Sequence, residues 1–147
     1  MNYSMIAATL SLASTMLFQA ARPAATLTGD WITPDHSVVE VYSCGNNMVC
    51  ARLVHINDRT AVDDKNPDAA LRKRPLCGIE LGRDFAVVDG NRAKNGKLYD
   101  PDSGKIYSAE LMLEGDTLRV RGYVGVSMFG RTETWHRGSE GAAACKH

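Results

Sequence analysis

The stretch KIYSAELMLEGDTLRVRGYV, residues 105–124, decides the fold. In Lys105–Glu114, the side chains of Tyr107, Ala109, Leu111 and Leu113 share one side, and Ser108 and Glu110 fall opposite. Thr117–Val124 repeats the pattern, with Leu118, Val120, Gly122 and Val124 on one face and Thr117, Arg119, Arg121 and Tyr123 on the other. Glu114-Gly115-Asp116 between them reads as a turn. Period-two alternation on both sides of a short turn predicts an antiparallel hairpin with one face buried and one wet.

The same alternation extends outward. Ser37–Cys44 places Val39 and Val41 against Glu40 and Tyr42, Met48–Asn57 follows as its return strand, and Arg131–Arg137 reads as the last strand. Leu27–Ile32, Leu76–Arg83, Phe85–Asp89 and Lys97–Tyr99 bring the total to eight or nine strands. The best helical candidate, Asp68–Lys73, is a turn or two. An open sheet of this composition would leave an apolar face and two edges exposed, so the expected class is all-β, a small closed antiparallel barrel. A two-sheet sandwich is the runner-up. Gly122, Gly125 and Gly130 cluster late in the chain, where the strands of a small barrel coil or bulge. Asp58–Arg74 is the longest polar connection and Asp89–Gly96 the second.

The chain has 147 residues, enough for one domain, and its 17 basic and 17 acidic residues cancel. Without a positive footprint, neither nucleic acid nor an anionic membrane surface is expected as the main partner. From Met1 to Ala25 there is no Asp or Glu and the one basic side chain is Arg22; Ile6–Ala21 is almost wholly apolar or small. This reads as a signal peptide over residues 1–25, cleaved after Ala21 or Ala25, with an uncleaved anchor helix as the alternative. The run is shorter than the roughly 20 apolar residues of a membrane span. The organisation expected is therefore a signal peptide, a barrel domain over 26–138 and a flexible tail over 139–147. Delivery is expected to the periplasm or outside the cell, with no stable membrane span after cleavage.

Four cysteines, Cys44, Cys50, Cys77 and Cys145, fit an exported chain with disulfides. Cys44 and Cys50 flank the turn-like Gly45-Asn46-Asn47-Met48, so their pairing is the first choice. Cys77 competes for either, and Cys145 is either free or its partner. Zinc is not expected, because the gap between Cys44 and Cys50 is too long and no histidine completes a set.

Three segments together match a known pattern. They are Asp64–Gly78 (DKNPDAALRKRPLCG), Gly96–Tyr107 (GKLYDPDSGKIY) and Leu118–Gly125 (LRVRGYVG), the last continued by Phe129–Trp135 (FGRTETW). In order and spacing the chain resembles the bacterial family called domain of unknown function 2147, from Gly29 to Arg137. The resemblance implies export and a lipocalin-like β-barrel, and it carries no activity. One departure is Ala93, where the family usually has a tryptophan. Gly29-Asp30-Trp31 also looks like the Gly-x-Trp that opens lipocalin-type barrels. That likeness implies that Arg137 or Arg131 closes the barrel by covering Trp31.

Chemistry-bearing residues concentrate in Asp63–Arg74. Asp64-x-Asn66-x-Asp68 has the opening spacing of a calcium loop, but Ala69 and Pro75 stand where a glycine and a bidentate glutamate belong. This segment and Asp100-x-Asp102-x-Gly104 read as Asx-type turns. Arg72 and Arg74 share a face if extended, as do Arg119 and Arg121. Either they pair with Asp63, Asp64, Asp100 or Asp102 and pin the loops, or Arg72, Arg74, Tyr99 and Arg121 build an anion site at a barrel mouth. Asn66, Asp100 and Tyr123 complete the candidate ligand-binding set. His36, His55, His136 and His147 lie in no triad context, and no Gly-x-Ser-x-Gly elbow exists, so no catalytic residue is assigned.

The leading functional expectation is a non-enzymatic binding barrel, without cofactor, for a small or amphipathic ligand. The alternative is a module that binds or inhibits an envelope protein through the Asp58–Arg74 loop; an envelope hydrolase is the weakest reading. If the Asp-rich segments are turns, addition of a chelator leaves the melting temperature unchanged. A drop of several degrees restored by Ca²⁺ would revive the calcium loop.

Overall fold

The computed structural model describes residues 26–138 and Cys145. Residues 1–25, expected to be a signal peptide, and the expected tail 139–147, apart from Cys145, lie outside the described residues. Eight strands form one closed antiparallel barrel in which each pairs with the next in sequence. They are β1 (Gly29–Ile32), β2 (Val38–Gly45), β3 (Met48–His55), β4 (Glu80–Asp89), β5 (Arg92–Asp100), β6 (Lys105–Glu114), β7 (Thr117–Tyr123) and β8 (Arg131–Arg137). Closure comes from β1 against β8, through the pairs Trp31–Arg137 and Ile32–His136.

The β6–β7 hairpin has the register its alternation requires: Leu111 faces Val120, Leu113 faces Leu118, and Ala109 faces Gly122. These side chains, except Gly122, join Trp31, Val39, Val41, Leu53, Phe85 and Trp135 in one buried cluster inside the barrel. The β2–β3 turn uses Asn46 and Asn47 at φ 50° and 56°, the left-handed pair that suits a two-residue hairpin, and the Cys44–Cys50 disulfide clamps it.

Two expected runs, Leu76–Arg83 and Phe85–Asp89, are one strand. Asp84 at φ 61° takes up the irregularity between them, and Leu76–Ile79 stays in the preceding connection. The expected Asp89–Gly96 loop is instead a tight turn followed by β5 from Arg92. The strand was hidden because a register shift between Ala93 and Gly96, with Asn95 at φ 61°, breaks its alternation. Asp68–Lys73 holds a single 3₁₀ turn, Ala69–Leu71, capped by the Asp68 carboxylate on the Ala70 N–H at 2.9 Å.

Antiparallel order divides the connections between two ends. The base carries the short turns at 46–47, 90–91 and 115–116, together with residues 26–28. The mouth carries 33–37, the long connection 56–79, 101–104 and 124–130. At the base the Trp31 indole is fully buried and donates to the Leu27 carbonyl at 3.0 Å. The Arg137 guanidinium lies 3.8 Å above its ring centroid and donates to the carbonyls of Thr28, at 2.7 Å, and Thr26. Arg131, the other residue considered for this role, is exposed at the start of β8.

Phe85 sets the packing in mid-barrel. A side chain at Gly96 would collide with its ring, and one at Gly82 would come within 2.8 Å of it. Gly96→Ala is therefore expected to destabilise the barrel by about 2 kcal/mol through overpacking. In urea titrations Phe85→Leu in the same chain should recover part of that loss; strictly additive effects would show that the two sites do not share the space.

Candidate functional site

The long connection 56–79 does not stand free above the mouth. It folds back along the outer wall, and one buried carboxylate organises it. Asp63 is 1% exposed and Asn66 5%. The Asp63 carboxylate accepts from the Tyr99 hydroxyl, from Asn66 Nδ2 at 2.7 Å and from Arg74 Nε at 2.9 Å. A second Arg74 nitrogen lies 2.8 Å away. Backbone bonds between Asp63 and Arg74 and between Leu76 and Ala61, with a bridge from Val62 to Pro75, close the segment on itself. Arg72 donates to the Asn66 carbonyl at 2.8 Å, and Lys65 to the Asp102 carbonyl at 2.8 Å. Gly104, at φ 68°, fits against the Lys65 carbonyl, where a side chain would collide.

Burial alone would push the Asp63 carboxyl up. The hydrogen bonds from Tyr99, Asn66 and Arg74, with the Arg74 charge, outweigh it and hold the group below the ordinary carboxylate range. Desolvation, then the bond to Asp63, pushes the Tyr99 phenol up to about 12.

Between this strap and the wall lies a groove of ≈ 320 Å³. Pro67, Leu71, Leu81 and Ile106 give it apolar surface; Arg83 and Lys97 supply two cations, beside Arg74, whose charge Asp63 meets, and the carboxylate of Glu80. Arg83 of β4 and Lys97 of β5 are direct register partners. Like charges opposed across a ladder are destabilising. Asp84 relieves Arg83 only at 3.8 Å, and Lys97 reaches the uncharged Ser108 Oγ at 3.0 Å.

The sequence-derived candidates divide. Asn66, Arg72, Arg74 and Tyr99 come together in and around the strap. Asp100 caps its own turn, accepting from Asp102 N at 3.0 Å and Ser103 Oγ at 2.6 Å. Arg121 does not join them. Its guanidinium donates to the carbonyls of Ser127 at 2.7 Å and Met128 at 3.2 Å, and to Thr132 Oγ1 at 2.8 Å. Tyr123, opposite Ser108 on the same strand, stays with it. Arg83 and Lys97 are the groove residues that sequence reasoning missed. The break in β5 hid their pairing.

The inner wall also opens toward the mouth. Glu133 faces the same side of the sheet as the buried Val120, its register partner, yet it is exposed; its carboxylate accepts from the Trp135 indole at 3.0 Å. Behind the long connection, Cys77 is joined to Cys145, whose N–H donates to the Val54 carbonyl at 2.6 Å.

Residues 29–137 match the family model described as "Uncharacterized protein conserved in bacteria (DUF2147)". The chain belongs to the DUF2147 family. The DUF2147 domain is also similar to a solved structure described as protein HP1028 from the human pathogen Helicobacter pylori, which belongs to the lipocalin family. The TM-score is 0.71 at 26% identity, over 80% of this chain and 86% of that one. No curated protein matches the sequence. The fold is thus a lipocalin-like barrel. Its disulfides fit a compartment outside the cytoplasm, and no helix among the described residues is long and apolar enough to cross a membrane.

Asp63→Ala should destabilise the domain by about 3 kcal/mol, because it leaves the Arg74, Asn66 and Tyr99 donors without their shared acceptor. A carboxyl held low when folded contributes stability above about pH 4 that is lost as pH falls through its folded value. A phenol held high contributes below about pH 10 and loses that contribution as pH rises toward 12. Denaturation from pH 2 to 11.5 should therefore show a stability difference between wild type and Asp63→Ala that narrows at both extremes; a constant difference would remove Asp63 from the electrostatic account.

Proposed function

We propose that this DUF2147 domain is a non-enzymatic, exported binding module, delivered to the periplasm or beyond, and that its ligand is a small amphipathic anion. The observation that carries the reading is the directly opposed pair Arg83–Lys97 on the wall of the groove. An anionic head between the two cations turns a repulsion into two charge-assisted hydrogen bonds. The adjacent surface of Leu71, Leu81 and Ile106 suits a short hydrocarbon tail, and the volume suits a molecule of modest size. The likeness to HP1028, described as a lipocalin, supports a binding role. The groove lies on the outer wall and not at the barrel mouth first considered, and Phe85, Trp31 and Leu118 belong to the packed core of the interior.

Isothermal titration with dodecanoate, against dodecyl trimethylammonium of equal chain length, tests the reading. The carboxylate is expected to saturate one site and the cation to fail. Arg83→Ala with Lys97→Ala should weaken carboxylate binding about tenfold or more, with the melting temperature held or raised. Equal binding of both amphiphiles, or carboxylate binding untouched by the double substitution, would overturn it.

A further inference from the structure

The mouth loop 124–130 (VGVSMFG) has no charged residue, and its four large apolar side chains stand in water: Val124 is 76% exposed, Val126 57%, Met128 80% and Phe129 80%. Single exposed hydrophobics are ordinary; four on seven consecutive residues form a patch that calls for an occupant.

The loop's polar groups identify that occupant. The Phe129 N–H is bonded to the Val126 carbonyl at 3.2 Å, and the Gly130 N–H to the Ser127 carbonyl at 3.1 Å. The Arg121 fork takes the carbonyls of Ser127 and Met128 from behind. The Ser127 hydroxyl, the one polar side chain of the loop, is spent on Glu110 at 3.0 Å. A surface that docks protein presents hydrogen-bonding groups at roughly one per 100–200 Å². This tip presents apolar side chains while the carbonyls of Val126, Ser127 and Met128 and the N–H groups of Phe129 and Gly130 are satisfied from within, which lowers the cost of entering hydrocarbon. Arg131 follows the loop directly, is exposed, and is the first charge past the tip in sequence.

We propose that the 124–130 loop is a membrane-interface anchor that inserts Met128 and Phe129 into the outer part of a phospholipid bilayer, seating the barrel mouth-down. The chain carries no net charge, so attraction comes from the apolar tip and not from a basic surface. The strap groove lies on the side wall, so this inference does not depend on the ligand proposed there.

The test is flotation with vesicles of phosphatidylethanolamine and phosphatidylcholine. The protein is expressed from its full gene, and its N-terminus is read by mass spectrometry. Wild type should float with the vesicles, with affinity changing less than about twofold between low and high salt. Met128→Ser with Phe129→Ser should lower that affinity at least about tenfold at an unchanged melting temperature. Because wild type and variant share the same N-terminus, any contribution of residues 1–25 cancels in the ratio. As a second readout, Phe129→Trp should show an emission blue shift on adding vesicles. Three results would each overturn the proposal: no flotation, flotation equal in the doubly substituted chain, or a lipid-free dimer that the same substitutions dissociate, which would make the patch a contact between copies.

Discussion

Closure of the barrel passes through two residue pairs between β1 and β8, Trp31 with Arg137 and Ile32 with His136. That is a short seam for a sheet of eight strands, and an open seam would expose two edges and wet the core. Side chains reinforce what the ladder lacks. Trp31 is buried completely, its N–H is satisfied by Leu27, and Arg137 covers its face while holding the carbonyls of Thr26 and Thr28. The guanidinium thus pins the chain entering β1 to the strand that must close against it. The buried core positions elsewhere, from Val39 to Trp135, stay dry only while that seam holds.

With the interior given to packing, the polar chemistry moves to the outside of the barrel. Asp63 is a buried carboxylate in a loop, a position that costs stability unless every lone pair is used. Tyr99 from β5 donates to one carboxylate oxygen, and Asn66 and Arg74 from the loop itself donate to the other, so the strap is held against the wall by a network that offsets this cost. The network also fixes the distance between strap and wall, which makes the adjoining groove a defined cleft.

How much of this was legible in the sequence follows from the range of each signal. The Lys105–Val124 hairpin was plain, because alternation and turn lie side by side. β5 was not: Ala93 and Gly96 are its buried inward positions, and the shift at Asn95 puts them out of step. With β5 obscured, the opposition of Arg83 to Lys97 had no sequence signature. Asn66, Arg72, Arg74 and Tyr99 came together as a set because three of them sit in one short segment. Arg121 was placed with them on residue type alone. Whether a guanidinium meets a carboxylate, a carbonyl or a ligand depends on which loop folds over it, and loop paths carry no periodicity.

One reading of the sequence paired Arg72, Arg74, Arg119 and Arg121 with Asp63, Asp64, Asp100 or Asp102, and of these pairings the structure forms Arg74 with Asp63. Of the loop-binding arginines, Arg74 meets a carboxylate, while Arg72, Arg121 and Arg137 donate to main-chain carbonyls. A guanidinium suits this task because its planar fork can hold two carbonyls in fixed relation without being neutralised. Each such contact satisfies acceptors that a strand or helix would otherwise have paired, so a segment without regular structure keeps a defined shape. This accounts for how a chain of short strands supports two shaped surfaces on its connections. The groove beside the strap presents Arg83 and Lys97 next to apolar side chains, and the mouth loop presents apolar side chains over carbonyls held by Arg121. Arg74 shapes the first by holding Asp63, and Arg121 shapes the second by holding the carbonyls of Ser127 and Met128.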